Sequence, residues 1–252
     1  QLNGVSVKMN LAAFAWGRRA AVDEAEVRAV IGAKVEKKAE TLDEVIARRV
    51  EFLTAYQDAA YAARYRDVVA RVRTVSEPLA LAVARNLFKL MAYKDEYEVA
   101  RLYSDGSFAE KLSKQFTGDF TLKFHLAPPI RGRVDGFTGK PVKSEYGPWM
   151  MAGFRLLAKM KRLRGTRLDV FGRTAERRME RQLITNYHAL LETLLASPSL
   201  ARSELALELA SLPDMIRGFG HVKEANVARA RQRQAELLAS LTTDAGSRKA
   251  AE

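Results

Sequence analysis

Charged side chains that could do acid–base chemistry are concentrated in residues 88–103, FKLMAYKDEYEVARLY. This stretch gathers Lys94, Asp95, Glu96, Glu98 and Arg101 within a few positions. If it belongs to one continuous helix, steps of about 100° per residue place Lys94, Glu98 and Arg101 inside the apolar arc of that helix. Asp95 then lies at the edge of the arc, and Glu96 points towards solvent.

Two interpretations of this cluster stay open. Lys94, Glu98 and Arg101 have i, i+4 and i, i+3 spacing, which suits a structural ion-pair network. If the arc is buried, the excess cation needs a carboxylate from outside the helix, for which Asp58 is a candidate, since an unpaired buried charge costs several kcal/mol. The alternative is contact with a ligand. We expect the structural network.

A second concentration of charge lies in residues 155–181, which hold ten Lys/Arg against three Asp/Glu in a chain of net charge +12. An arginine-rich face suits phosphate or an acidic protein. The candidate docking patch consists of Arg162, Arg164, Arg173, Arg177 and Arg178. The alternative is a solvated helical face whose arginine stems pack on the core. Nucleic-acid binding is a third interpretation, but no recognition motif supports it.

Residues that commonly build enzyme sites are sparse. The chain has no cysteine, which excludes disulfides, thiolate nucleophiles and cysteine-ligated zinc or iron–sulfur clusters within it. His125, His188 and His221 are far apart and belong to no metal-binding motif. No apolar run approaches the roughly 20 residues that span a bilayer, and QLNGVSVKMN lacks the features of a signal peptide. We therefore expect a cytoplasmic chain without a catalytic residue or metal site of its own.

The elements that must hold these charges are mostly helices. A capping box, Thr41 with Glu44, begins a helix that we expect to reach about residue 76. Pro78 suits the first turn of the next helix, which we expect to reach about residue 103. FTLKFHL, residues 120–126, alternates apolar and polar side chains as a half-buried strand does. The Pro- and Gly-rich residues 127–148 predict a loop or short hairpin with turns at Asp135-Gly136 and Thr138-Gly139.

The second half of the chain is also predicted to be helical. The helical pattern returns at residue 149, Thr174 can cap a helix that reaches about residue 196, and Ser199 or Ser203 opens another. A last helix is expected over residues 222–241, and the polar tail, residues 243–252, is expected to be disordered. The predicted fold is mainly α: a multi-helix domain with long helices, plus a small β hairpin or strand around residues 120–145.

Several long blocks of this sequence resemble the C-terminal region of the fused, long-chain indolepyruvate ferredoxin oxidoreductases of bacteria. The blocks are NLFKLMAYKDEYEVARLY, FHLAPP, YGPWM, LRGTRLDVFGRTAERRMER and LPDMIRGFGHVKEANVARA, and the similarity covers roughly residues 41–241. Residues 1–22 resemble the closing segment of the gamma-type domain that precedes this region. The resemblance implies the end of that domain at residues 1–33, a helical C-terminal accessory domain at residues 34–242 and the tail at residues 243–252.

The resemblance also implies a parent enzyme that converts aryl 2-oxo acids such as indolepyruvate to acyl-CoA and CO2. Such an enzyme uses thiamine diphosphate, Mg, 4Fe–4S clusters and coenzyme A, and passes electrons to ferredoxin. Its catalytic elements are implied to lie upstream, so no catalytic residue is transferred to this chain.

We therefore expect a non-catalytic accessory domain whose partners are the upstream domains of the same polypeptide. A second copy of the chain and ferredoxin are further candidate partners, whereas a membrane and nucleic acid are not expected. The alternative is a basic docking module for ferredoxin or coenzyme A within the same enzyme.

Overall fold

The computed structural model describes residues 7–31, 40–126 and 142–249, except the side chains of residues 31 and 241–249. The chain divides into two compact units, residues 1–40 and residues 41–252. The resemblance implies a boundary a few residues earlier, between residues 33 and 34.

The first unit contains helices α1 (Val7–Val22) and α2 (Glu24–Ile31). Asp23 separates them, and its carboxylate accepts the N–H of Glu26 at 2.9 Å. No described residue of α1 is buried, and its side chains Met9 and Phe14 are 67% and 68% exposed. This unit therefore presents apolar side chains to its surroundings.

The second unit has ten helices and one two-stranded sheet among the described residues. The helices are α3 (Leu42–Tyr56), α4 (Ala59–Arg73), α5 (Glu77–Met91), α6 (Glu96–Ser104), α7 (Ser107–Gln115), α8 (Met150–Lys159), α9 (Ala175–Leu195), α10 (Pro198–Ala201), α11 (Glu204–Ser211) and α12 (His221–Lys249). The strands are β1 (Phe124–Leu126) and β2 (Ser144–Tyr146). Short 3₁₀ turns, Met160–Leu163 and Leu212–Met215, follow α8 and α11.

Local hydrogen bonds begin several of these helices where the sequence predicts. The Thr41 hydroxyl accepts the N–H of Glu44 at 3.3 Å, and the Glu44 carboxylate accepts the N–H of Thr41 at 2.8 Å, which completes the capping box. The Thr174 and Ser203 hydroxyls cap α9 and α11, and Pro78 lies in the first turn of α5. These contacts join residues close in sequence, so spacing alone predicts them.

The single helix predicted over residues 41–76 is wrong. In the structure α3 ends at Tyr56, and α4 begins at Ala59. Asp58 has extended backbone angles, and its carboxylate accepts the N–H of Tyr61 at 2.8 Å. An N-cap of this kind satisfies a backbone donor that a continuous helix would have used internally, so the chain can turn here at small cost.

The single helix predicted over residues 78–103 is also wrong, because α5 ends at Met91 and α6 begins at Glu96. The cap of α6 is Asp95, whose carboxylate accepts the N–H of Glu98 at 2.8 Å. A break resets the angular position of every later residue. Phasing calculated for one continuous helix therefore does not apply to both sides of residues 92–95.

The small hairpin is confirmed, but its first strand is shorter than predicted. Antiparallel pairing matches Phe124 with Tyr146 and Leu126 with Ser144. Phe120, which the alternation placed on the buried face, is 50% exposed and precedes the strand. The turns predicted at Asp135-Gly136 and Thr138-Gly139 lie outside the described residues.

The main hydrophobic core joins α3, α4, α5, α9, α11 and α12. Its fully buried side chains include Leu53, Tyr65, Leu87, Leu191 and Leu209. Burying an aliphatic side chain of this size contributes roughly 1.5–3 kcal/mol, so this cluster is the chief source of stability for the second unit.

A second, smaller cluster joins α6, α8 and the hairpin. The ring of Tyr103 stacks on that of Phe154 with centroids 4.9 Å apart, and Phe124 meets both rings edge-on. Offset-stacked and edge-to-face pairs of this kind contribute beyond the area they bury. The cluster fixes α8 against α6 and so positions the segment that follows α8.

The second unit is mainly α with one small hairpin in its described part, as predicted. Helix α12 is described as far as Lys249, so it extends into residues 243–252, the tail predicted to be disordered. No helix in the described ranges combines the length and apolarity needed to cross a membrane.

Candidate functional site

The predicted charge cluster and the predicted basic segment meet in one place. Residues 160–174, here called the arginine loop, connect α8 to α9 and bring Arg164 to the cap of α6. The Arg164 guanidinium donates to the Asp95 carboxylate from Nε at 2.5 Å and from Nη2 at 2.8 Å, and Nη1 donates to the carbonyl of Tyr56 at 2.7 Å. Both charged side chains are 3% exposed. This buried bidentate pair locks the arginine loop to the ends of two helices.

Tyrosines enclose the ion pair. The Arg164 Cζ atom lies 3.6 Å from the ring centroid of Tyr56 and 5.6 Å from that of Tyr97. The Tyr56 hydroxyl donates to the carbonyl of Tyr93 at 2.8 Å. Burial, reinforced by the negative charge of Asp95, raises the pKa of Tyr93 to about 12. Burial therefore disfavours deprotonation of the Tyr93 phenol.

A second chain of ion pairs joins α6, α9 and α12. Arg177 contacts Glu96 at 3.4 Å and Glu180 at 2.6 Å, and Glu180 also pairs with Lys223. The Arg177 side chain is 12% exposed and that of Glu180 only 4%. The two carboxylates and two cations balance in charge, which a partly buried cluster requires.

The network predicted from Lys94, Glu98 and Arg101 is present only in part. Arg101 donates to Glu98 at 2.8 and 2.7 Å and contacts Asp105 at 3.2 Å. Lys94 is exposed and precedes the cap of α6, so it makes no ion pair with Glu98 or with any other described residue. The expected carboxylate from Asp58 is also wrong, because Asp58 caps α4. The helix break is the reason: it removes Lys94 from the face that carries Glu98.

The predicted docking patch divides into buried and exposed arginines. Arg162, Arg173 and Arg178 are exposed, as a docking surface needs. Arg164 and Arg177 are held inside by carboxylates of the α6 segment. Their inclusion in a surface patch is therefore wrong, because sequence density of arginine does not distinguish a guanidinium that binds a partner from one that pairs internally.

Asp169 organises the rest of the arginine loop. One carboxylate oxygen accepts the N–H of Gly165 at 2.7 Å, and the other accepts the N–H of Gly172 at 2.9 Å and the hydroxyl of Tyr97 at 3.2 Å. Gly165 has a φ of 75°, a conformation that L side chains rarely adopt. A Cβ atom at Gly172 would overlap the Asp169 carboxylate. Both glycines are therefore required by the geometry of the loop.

A cavity of about 480 Å³ lies between α6 and α8, beside the arginine loop. Its apolar walls include Val99, Leu126, Phe154, Leu157, Met160 and Phe171. Its charged lining includes Glu96 and Arg177, which pair with each other, and the exposed Lys94. The size lies in the range of small-molecule sites, but the paired charges leave no free acid–base couple among its described lining residues.

The histidines do not converge. His125 lies on β1 with its Nε2 atom 3.9 Å from the Glu145 carboxylate, His188 lies on α9, and His221 begins α12. Among the described residues no group of His, Asp and Glu could hold a metal ion.

Sequence reasoning missed Asp95 and Asp169 as the centres of the site. Asp95 carried a usable signal, since Asp followed three residues later by Glu98 is typical of a helix N-terminus. Asp169 carried none, because its partners are two glycine N–H groups and Tyr97, which lies 72 positions away in sequence.

Comparison with known proteins gives a family but no function. No curated protein matches the chain, and no solved structure matches it. Residues 42–236 match DUF6537, a family of unknown function, and this range includes both the Asp95–Arg164 pair and the arginine loop. The chain therefore belongs to the DUF6537 family of unknown function.

Proposed function

We propose that this chain is a non-catalytic helical accessory domain of a ferredoxin-dependent 2-oxo acid oxidoreductase that acts on aryl 2-oxo acids such as indolepyruvate. Its role is to stabilise the fused polypeptide or its homodimer, in the cytoplasm. Two of the blocks that carry the sequence resemblance contact each other in the structure. Asp95 in one block and Arg164 in the other form the buried ion pair, and this contact between resembling blocks supports the proposal.

The observation that carries the proposal is the internal pairing of the clustered charges. Asp95 with Arg164 and Glu96 with Arg177 are joined across helices, and the neighbouring Tyr93 phenol is held neutral. Groups that are buried and paired in this way join the elements that carry them. The arrangement suits a domain that supports a fold.

The first unit gives independent support for a larger polypeptide. Met9, Leu11, Phe14 and Trp16 of α1 are 67%, 58%, 68% and 43% exposed. Large apolar side chains grouped on one short helix favour contact with a further protein surface. In the proposal that surface is the remainder of the gamma-type domain.

The cofactors of the proposed enzyme belong to other parts of the polypeptide. A cluster of the 4Fe–4S type needs cysteine ligands, and this chain has none. In the proposal, thiamine diphosphate and Mg are bound by the upstream domains. We therefore derive no catalytic step from the residues of this chain.

The test uses the polypeptide that carries this chain, captured from its source through an affinity tag. The proposal expects coenzyme A-dependent oxidation of indolepyruvate with reduction of a low-potential dye, and no such turnover by the 252-residue chain alone. Arg164→Met should lower the yield of assembled enzyme, while the exposed Arg155→Met control should not. Turnover by the isolated chain, or none by the captured polypeptide, would contradict the proposal.

A second candidate function is a basic docking module for ferredoxin or coenzyme A. It is favoured by the exposed Arg162 and Arg178, which make no ion pair with another described residue. Surface charges chiefly steer association, so Arg162→Glu with Arg178→Glu should raise the apparent KM for one of these anions by several-fold at low salt. The difference should shrink at high salt, because screening weakens the attraction. Unchanged KM values at low salt would exclude this role.

A further inference from the structure

The arginine loop and the first turns of α9 line an open pocket of about 390 Å³. Its lining consists of Gly165, Thr166, Arg167, Asp169, Gly172, Arg173 and Arg181. The pocket shares no lining residue with the apolar cavity between α6 and α8. Three of its seven lining residues are arginines, so its chemistry is that of an anion site.

None of these three arginines forms an ion pair with a described carboxylate. Arg173 donates from Nη2 to the carbonyl of Arg167 at 3.1 Å, and Arg181 donates from Nη2 to the carbonyl of Gly172 at 2.6 Å. No described Asp or Glu forms an ion pair with Arg167, Arg173 or Arg181, in contrast to Arg164 and Arg177. The pocket therefore keeps an excess of positive charge.

The one carboxylate in the described lining is already occupied. Asp169 is 4% exposed, and its oxygens accept the N–H groups of Gly165 and Gly172 and the hydroxyl of Tyr97. Its role is to hold the loop closed. With three arginines and one aspartate, the described lining carries a formal net charge of +2.

Arg181 is the most buried of the three arginines. Its Nη1 atom is buried and has no hydrogen-bond partner. A Cβ atom built on Gly172 would lie 3.0 Å from this nitrogen and 2.3 Å from an Asp169 carboxylate oxygen, so Nη1 lies close to the Asp169 side chain. Arg181 therefore adds its positive charge to the pocket lining, while its Nη1 atom is out of reach of a bound molecule.

We propose that this pocket binds the phosphate group of a small phosphorylated molecule. Phosphate oxygens accept from the guanidinium groups of Arg167 and Arg173, whose planar forks match the geometry of an oxyanion, and the positive charge of Arg181 adds to the attraction. The volume exceeds that of one phosphate group, which leaves room for the group esterified to it. The proposal concerns this chain by itself and holds whether or not the parent enzyme is an oxidoreductase.

The test is isothermal titration calorimetry of the 252-residue chain with sodium pyrophosphate and inorganic phosphate, at constant chloride concentration. Saturable binding with about one site per chain is expected. Arg167→Glu removes a donor and reverses a charge, so it should weaken binding by roughly tenfold or more, and Arg181→Gln removes a charge, so it should weaken binding by several-fold. Arg155→Glu on α8, an exposed arginine outside the pocket, should change the affinity less than about twofold.

Two features keep the test decisive. Arg181 also donates to the Gly172 carbonyl, so circular dichroism must show that Arg181→Gln is folded, whereas Arg167 is exposed and its variant carries no such risk. Absence of saturable binding would overturn the proposal, as would equal weakening by Arg155→Glu. Steeply salt-dependent retention on DNA that pyrophosphate does not displace would also overturn it, in favour of a nucleic-acid surface.

Discussion

Replacement of Arg164 by methionine is expected to be among the most destabilising single changes in this protein. Methionine keeps much of the length of the buried stem but removes the guanidinium, which leaves the 3% exposed Asp95 carboxylate without its bidentate partner. The carbonyl of Tyr56 loses its donor as well. Breaking one side of a buried ion pair typically costs about 3–5 kcal/mol, against a total stability of about 5–15 kcal/mol for a domain.

A double-mutant cycle separates the pair from its surroundings. Asp95→Asn with Arg164→Met removes both charges, while asparagine still accepts the N–H of Glu98 as the cap of α6. The double variant should lose only about 1–2 kcal/mol, because no buried charge is left unpaired. The double variant should therefore be more stable than Arg164→Met alone.

The assay is urea unfolding of the 252-residue chain, followed by far-ultraviolet circular dichroism and by the near-ultraviolet signal of the buried tyrosines. Two probes are needed because the two compact units need not unfold together. Arg155→Met, at an exposed position on α8, is the matched control and should cost less than about 0.5 kcal/mol. A loss below about 1 kcal/mol for Arg164→Met, or a double variant no milder than the single one, would contradict this account of the pair.

Three further predictions concern single side chains. Gly172→Ala should cost about 1–3 kcal/mol in urea unfolding because its Cβ overlaps the Asp169 carboxylate, whereas Gly153→Ala, in ordinary contact within α8, should be neutral or stabilising. Burial lowers the pKa of His188 below its ordinary 6.5, so protonation favours the unfolded chain and stability should fall as pH drops below 6.5 towards the folded-state pKa. His188→Gln should flatten that decline, by about 1.4 kcal/mol for each unit between the two pKa values, in urea titrations across this range. Tyr187→Phe should cost about 1–2 kcal/mol in the same unfolding assay, because its buried hydroxyl donates to the carbonyl of Ala210 near the end of α11 at 2.7 Å.

The sequence predicts the local features of this fold well. Thr41 with Glu44, Thr174 and Ser203 begin helices where expected, because a cap joins groups three residues apart and needs no tertiary contact. The strand signal ending at Leu126 is found in the hairpin for a similar reason, since alternation reports directly on a half-buried strand.

The sequence contains a capping signal at each helix break, but that signal alone does not predict the break. Asp58 and Asp95 are good capping residues, but the apolar periodicity continues through both positions and favours longer helices. Whether the cap or the continuing apolar periodicity prevails depends on the tertiary contacts that the new helix can form. At Asp95 the outcome is coupled to Arg164, 69 positions later in sequence, whose guanidinium binds the capping carboxylate.

Composition and local patterning were enough to predict a mainly helical chain that lacks cysteine chemistry and concentrates positive charge between residues 155 and 181. They could not separate the internal arginines, Arg164 and Arg177, from Arg167, Arg173 and Arg181, which line an open pocket. The features that could be predicted and those that could not differ in how far apart in sequence the interacting residues lie. Caps and periodicity act over three or four residues, whereas the partner of a buried charge is chosen by packing between elements far apart in the chain.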